Sequence, residues 1–206
     1  MPDSEGIKAV IFDADGVLIQ PPQLFSRVYC AERGWPPDYL DPFFAAEFHE
    51  ALTGRADLVE LLLASPLWDY HGDPKALLGK WLASENHPNQ ELIEVARRLR
   101  NAGIPVFLAT NQERNRAAYF RETMFPGLFD DEFMSCEIGC SKSNDAFWPP
   151  VLKRIYRFVN GIQPAEIIFF DDSPGHIEAA LRAGVRAHLY RDNDQVTSLL
   201  AAPVLE

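Results

Sequence analysis

Short apolar runs alternate with amphipathic stretches along most of this chain. Residues 7–12, 104–109, 132–136, 167–170 and 185–190 are rich in β-branched and aromatic side chains. Their apolarity is continuous rather than alternating, which predicts strands covered on both faces, as in a parallel sheet. Between them the helical period takes over. Residues 91–101 place Leu92, Val95, Ala96 and Leu99 on one face and Arg97, Arg98 and Arg100 outside, with Gly103 positioned to end the helix. Strand alternating with helix predicts an α/β fold: a parallel sheet of five strands, the first central, with helices on both faces. The rhythm breaks once. From residue 20 to 87 no strand is predicted, only helical stretches at 23–33, 42–52, 55–64 and 74–84. Turn signals separate them: Gly34-Trp-Pro-Pro, Thr53-Gly54, His71-Gly-Asp-Pro and Asn86-His-Pro. The expected organisation is a core domain of residues 1–19 and 88–206, interrupted by a helical cap domain at 20–87.

Ligands of open parallel sheets bind beyond the carboxyl ends of the strands. The first strand delivers Asp13-Ala-Asp15-Gly16 there, the second Thr110-Asn111 and the fourth Asp171-Asp172-Ser173; Lys142 follows the third. Taken singly, Asp15 or Ser173 reads as an ordinary helix cap. Together the carboxylates need compensation, because two like charges about 4 Å apart repel by roughly 4 kcal/mol at an effective dielectric near 20. Protons, Lys142 or a small hard cation would supply it. Magnesium binds through one or two carboxylates plus substrate phosphate, so the set suits a metal-assisted phosphate site.

Charge narrows the partners. Of 206 residues 19 are basic and 30 acidic, a net charge of −11 that argues against nucleic acid or an anionic membrane surface. No apolar run approaches the roughly 18–20 residues of a membrane span, and the opening Met-Pro-Asp-Ser-Glu lacks the basic flank of a secretory signal. Cys30, Cys136 and Cys140 form no Cys-x-x-Cys pair and read as free thiols of a cytoplasmic protein. The five histidines show no metal-binding spacing.

The strand-end residues carry a family resemblance. Val10-Ile-Phe-Asp-Ala-Asp-Gly-Val-Leu18 resembles the first motif of the haloacid dehalogenase-like (HAD) superfamily, Phe107-Leu-Ala-Thr-Asn111 its second, Lys142 its third and Ile168-Phe-Phe-Asp-Asp172 its fourth. They arrive in the family's order, and the insertion after the first matches a C1-type helical cap. The resemblance implies a Rossmann-like core. It implies Asp13 as the nucleophile that becomes an aspartyl phosphate, and Asp15 as the acid and base serving the leaving alcohol and then water. Thr110 and the Asn111 amide would hold phosphoryl oxygens, and Lys142 would neutralise Asp13 and the transferring group. Asp172, Asp13 and the Asp15 carbonyl would bind Mg2+, with Asp171 orienting a metal-bound water. The chemistry agrees: a phosphate dianion repels a carboxylate, so covalent catalysis needs cations around phosphorus and a proton for the departing alcohol.

The sequence departs from the pattern in places. Val17 stands where threonine is commonest, and Ser143-Asn144-Asp145 follows Lys142 where Pro-Asp-Pro is more frequent. Pro149 and Pro150 predict a short turn and then a helix beginning near Pro149. A 2-haloacid dehalogenase would need neither metal nor Asp15. A sugar phosphomutase shares the core constellation, and a catalytically silent interaction module would leave it without purpose. In the cap, Arg55 is singled out as a substrate contact because its fork suits an anionic or hydroxylated leaving group; His49 lies near it. Phe43, Phe44 and Phe48 read as cap packing rather than a stacking shelf. The expected activity is Mg2+-dependent hydrolysis of a small phosphorylated metabolite, such as a sugar phosphate or phosphoglycolate, by a monomer or homodimer.

Overall fold

The computed structural model describes residues 6–68 and 72–200; the opening pentapeptide and the first residue of the turn at His71 fall outside them. Five strands, β1 (Ala9–Phe12), β2 (Val106–Thr110), β3 (Asp131–Met134), β4 (Ile167–Asp171) and β5 (Arg186–Leu189), form one parallel sheet in the order β3-β2-β1-β4-β5. All pairs run parallel, as the continuous apolarity predicts, and β1 is central, as expected for the first strand.

Alternation along the strands divides the core between two faces. Val10, Phe12, Val106, Leu108, Ile168 and Phe170 pack on one side, against helices α6 (Gln90–Asn101), α7 (Arg114–Tyr119) and α11 (Asn193–Leu200). Ala9, Ile11, Phe107, Ala109, Ile167 and Phe169 pack on the other, against α9 (Trp148–Ile155) and α10 (Pro174–Arg182). A short helix, α8 (Ser135–Ile138), follows β3, and a 3-10 turn at Asp145–Phe147 leads into α9 with its prolines in the first turn. There the missing N–H groups cost nothing.

The insertion forms α1 (Phe25–Glu32), α2 (Asp41–Ala45), α3 (Glu47–Leu52), α4 (Leu58–Ala64) and α5 (Pro74–Ser84). The single helix expected over 42–52 is two, broken at Ala46, whose φ of −120° and ψ of −85° leave the helical region. These helices gather their own core around Phe25, Tyr29, Phe43, Trp68 and Trp81. The two linkers run side by side: Ile19 bridges Pro88, Gln20 N–H donates to His87 O at 2.9 Å, and Asn89 N–H to Leu18 O at 2.8 Å. A second contact lies beyond β3. Arg114 donates to Gly54 O at 2.8 Å, and Gly54 approaches so closely that a Cβ there would lie 2.1 Å from Cys136 O. With φ at +73°, only glycine suits this position.

Candidate active site

Parallel pairing delivers the expected core residues to one edge. Asp13 lies one residue beyond β1, its N–H donating to Phe170 O at 2.9 Å and its Oδ1 accepting from Ala14 N–H at 2.7 Å. Lys142, 1% exposed, places Nζ 2.5 Å from Asp13 Oδ1, 2.6 Å from Asp171 Oδ2 and 3.2 Å from Ala109 O. Asn111 explains how the Ser143-Asn144-Asp145 departure still presents the lysine. Its Oδ1 accepts from Lys142 N–H at 2.9 Å and its Nδ2 donates to Ser141 Oγ at 3.1 Å, fastening the loop after β3 to the end of β2. Asp13, Asp15, Thr110, Asn111, Lys142 and Asp172 line one cleft of about 500 Å3.

Burial and charge decide the electrostatics. Burial pushes Asp13 well above the ordinary carboxylate range, with Lys142 pulling the other way. Asp171 is also buried, but Lys142 and His176 outweigh that and hold it at about 2. Lys142 is raised, its two carboxylates overcoming the burial that disfavours its charge. Desolvation and then Asp171 raise Asp172. Asp13, Asp171 and His176 bring possible ligand atoms within 4.8 Å of one another, yet the Lys142 ammonium already bridges the two carboxylates and leaves no room for a second cation between them. Asp171 is spent in full on Lys142, His176 and the N–H of Ser173. In this structure its carboxylate holds the lysine and the imidazole.

Asp172 differs. It is exposed, and its carboxylate accepts no hydrogen bond from any described residue, while its Oδ2 lies where a Cβ on Gly16 would be 2.0 Å away. Gly16, at φ +79°, lets this carboxylate settle onto the turn that carries Asp15. An unpartnered, partly desolvated carboxylate beside Asp13 and a backbone turn is a hard-oxygen donor set that fits magnesium.

The side chain of Asp15 turns toward the insertion. Arg116 forks it through Nη2 to Oδ1 at 2.7 Å and Nη1 to Oδ2 at 3.1 Å, and Gln112 Nε2 donates to Oδ2. The same guanidinium lies 3.4 Å from Glu85 at the end of α5, whose Oε1 accepts from Phe25 N–H at 2.8 Å. Arg55 is elsewhere: half-exposed, it spends its fork on Glu50 at 2.7 and 3.0 Å and lines neither this cleft nor the one adjoining it. The structure therefore does not bring Arg55 to the other candidate residues; in this arrangement its fork is held by Glu50. His49 is exposed as well.

A family model of haloacid dehalogenase-like hydrolases matches residues 7–184. The chain belongs to that family. A curated relative, the phosphorylated carbohydrates phosphatase of Thermotoga maritima, is 26% identical over 191 residues, 87% of this chain and 82% of that one. A HAD family enzyme from Bacteroides thetaiotaomicron, solved with magnesium and inorganic phosphate, shares the fold at a TM-score of 0.74 with 19% identity, over 93% of this chain and 99% of that one. A HAD phosphatase from Thermococcus onnurineus shares it at 0.62, with 19% identity over 91% and 87%.

Four residues that contact the candidate site residues were not singled out from the sequence. His176, one of the five histidines without metal-binding spacing, contacts Asp171 through Nδ1 at 2.9 Å and accepts at Nε2 from Asn111 Nδ2 at 3.1 Å. Its place just after the Asp171-Asp172 pair was the available signal. Gln112 and Arg116 follow the second strand closely enough to have been suspected. Glu85 carried no local signal, since it reaches the site only through the packing of α5.

Proposed function

We propose that this protein is a Mg2+-dependent phosphatase that hydrolyses a small phosphate monoester, such as a sugar phosphate, through an aspartyl phosphate on Asp13. The observation that supports this most is the buried Lys142 ammonium fixed on Asp13, beside Thr110 and Asn111 and opposite the unpartnered Asp172. Asp13, Asp172 and the carbonyl of Asp15 would hold the ion, which when bound supplies positive charge against the phosphoryl oxygens. Asp13 attacks phosphorus while Lys142 offsets the charge that gathers on the equatorial oxygens. Thr110 and the amide of Asn111 bind those oxygens. Asp15 sits where the phosphoryl cleft meets its neighbour, placed by Arg116 and Gln112. From there it protonates the departing alcohol and later takes a proton from the water that cleaves the acyl phosphate.

A panel of phosphate monoesters assayed with magnesium, and again with a chelator, tests the reading. Turnover is expected only with the metal. Asp13→Asn should lower kcat by about a thousandfold or more with an unchanged circular dichroism spectrum. Turnover in that variant within tenfold of the parent, or none from the parent on any ester, would overturn the proposal.

A further inference from the structure

The phosphoryl cleft opens into a second cleft of about 480 Å3, the two sharing Asp15, Leu24 and Asn111. The second runs beneath the insertion, and its apolar wall is Leu24, Phe44, Phe48, Leu52 and Trp81. Phe43 is fully buried, as a packing residue should be. Phe44 and Phe48 do more: both pack on Trp81, at centroid separations of 5.6 and 5.7 Å, and both remain partly exposed to the cleft.

The charged groups of this cleft are already matched among themselves. Arg27 is paired with Asp41 at 3.0 Å. Arg116 is taken by Asp15 at 2.7 Å and approaches Glu85 at 3.4 Å. Two guanidiniums thus face three carboxylates. An anionic leaving group placed here would meet a surplus of negative charge and would have to break an existing ion pair to gain a cation. An uncharged ring would cover the aromatic wall and leave the pairs intact.

We infer that the leaving group is an uncharged alcohol presenting a ring-sized apolar face to Phe44, Phe48 and Trp81, and that the cleft discriminates against monoesters carrying a second anionic group. This rests on the phosphatase reading above and sets aside phosphoglycolate as a substrate. Either the C–H face of a carbohydrate ring or an aryl ring meets the description.

Benzyl phosphate, glucose 6-phosphate and 2-phosphoglycolate are all esters of primary alcohols, so bond breaking is comparable and the cleft makes the difference. Acetyl phosphate, too small to reach the aromatic wall, reports the phosphoryl site alone. At least one ring ester should exceed phosphoglycolate tenfold or more in kcat/KM; the better of the two identifies the ring as aryl or carbohydrate. Phe48→Ala should shrink that ratio severalfold, and so should Phe48→Leu, which keeps apolar bulk without a flat face. Asp41→Asn, at an exposed position, should raise kcat/KM for phosphoglycolate by freeing Arg27. Phosphoglycolate matching both ring esters, an unchanged ratio in the Phe48 variants, or no gain in Asp41→Asn would overturn the inference. If acetyl phosphate is still turned over, the phosphatase reading survives that failure; if no ester is turned over, both fall.

Discussion

The carboxyl edge of the sheet and the core of the insertion are built on opposite terms. At the edge, Asp13, Lys142 and Asp171 are buried titratable groups held by short polar contacts, an arrangement that costs desolvation on each charged partner. In the insertion, Phe25, Phe43, Trp68 and Trp81 are buried by one another, with ring centroids 5.4 to 6.5 Å apart where they meet. Apolar burial of that kind is a direct source of stability. The edge thus carries a desolvation cost that the aromatic core of the insertion does not. The largest test of this contrast is Phe43→Ala, which should cost about 3–5 kcal/mol through the cavity it leaves. Three of the four tryptophans, Trp35, Trp68 and Trp81, lie in the insertion. If the insertion is the separate unit proposed from its sequence, the fluorescence transition in urea should fall ahead of the circular dichroism transition in this variant. Coincident transitions with a shift below 1 kcal/mol would break the contrast.

The two regions were also unequally legible. The shared placement at the edge could be read because parallel strands deliver their ends to one side: Asp13, Thr110 and Asp172 stand at strand ends, and Lys142 in the loop after the third joins them in one cleft. The parallel pairing followed too, since runs such as Ile168-Phe-Phe are too apolar for anything but a two-faced burial. What failed to show were relations fixed only by packing. Ala46 breaks a helix that periodicity continues through. Arg55 looked available because the sequence does not say that Glu50 folds back onto it. Arg116 and Glu85 meet Asp15 from separate elements, a juxtaposition that no spacing encodes.

A second test, of intermediate size, separates the two carboxylates that share Lys142. Asp171 is held at about 2, below its ordinary 3.8, so it contributes about 2 kcal/mol of stability that is fully present above pH 4 and is lost as pH falls toward 2. Asp13 is raised, so in the metal-free protein its ionisation opposes folding, and it does so only above 3.8, where the unfolded chain has lost the proton that the folded one retains. Urea midpoints of the metal-free protein should therefore fall between pH 4 and 2, and Asp171→Asn should flatten that fall. Asp13→Asn should leave the acid limb alone and remove the cost above pH 4. A parent-like acid limb in Asp171→Asn would mean that Lys142 depends on Asp13 alone.

The smallest effect compares helix starts. Asp57 caps α4 in the ordinary way, its Oδ1 accepting from Val59 N–H at 2.8 Å and Glu60 N–H at 3.3 Å. Ser173 occupies the same position before α10 but makes no capping bond; its own N–H is bound by Asp171 at 2.8 Å. A serine after a strand at first reads as a cap, and here the strand end has been diverted to hold Asp171 in place for Lys142. Asp57→Ala should thus lower stability by about 1 kcal/mol, whereas Ser173→Ala should cost no more than a few tenths. Equal losses in the two variants, measured by urea midpoint, would show that the hydroxyl of Ser173 contributes as a cap after all and that the site edge is less set apart from ordinary helix geometry than its bonding implies.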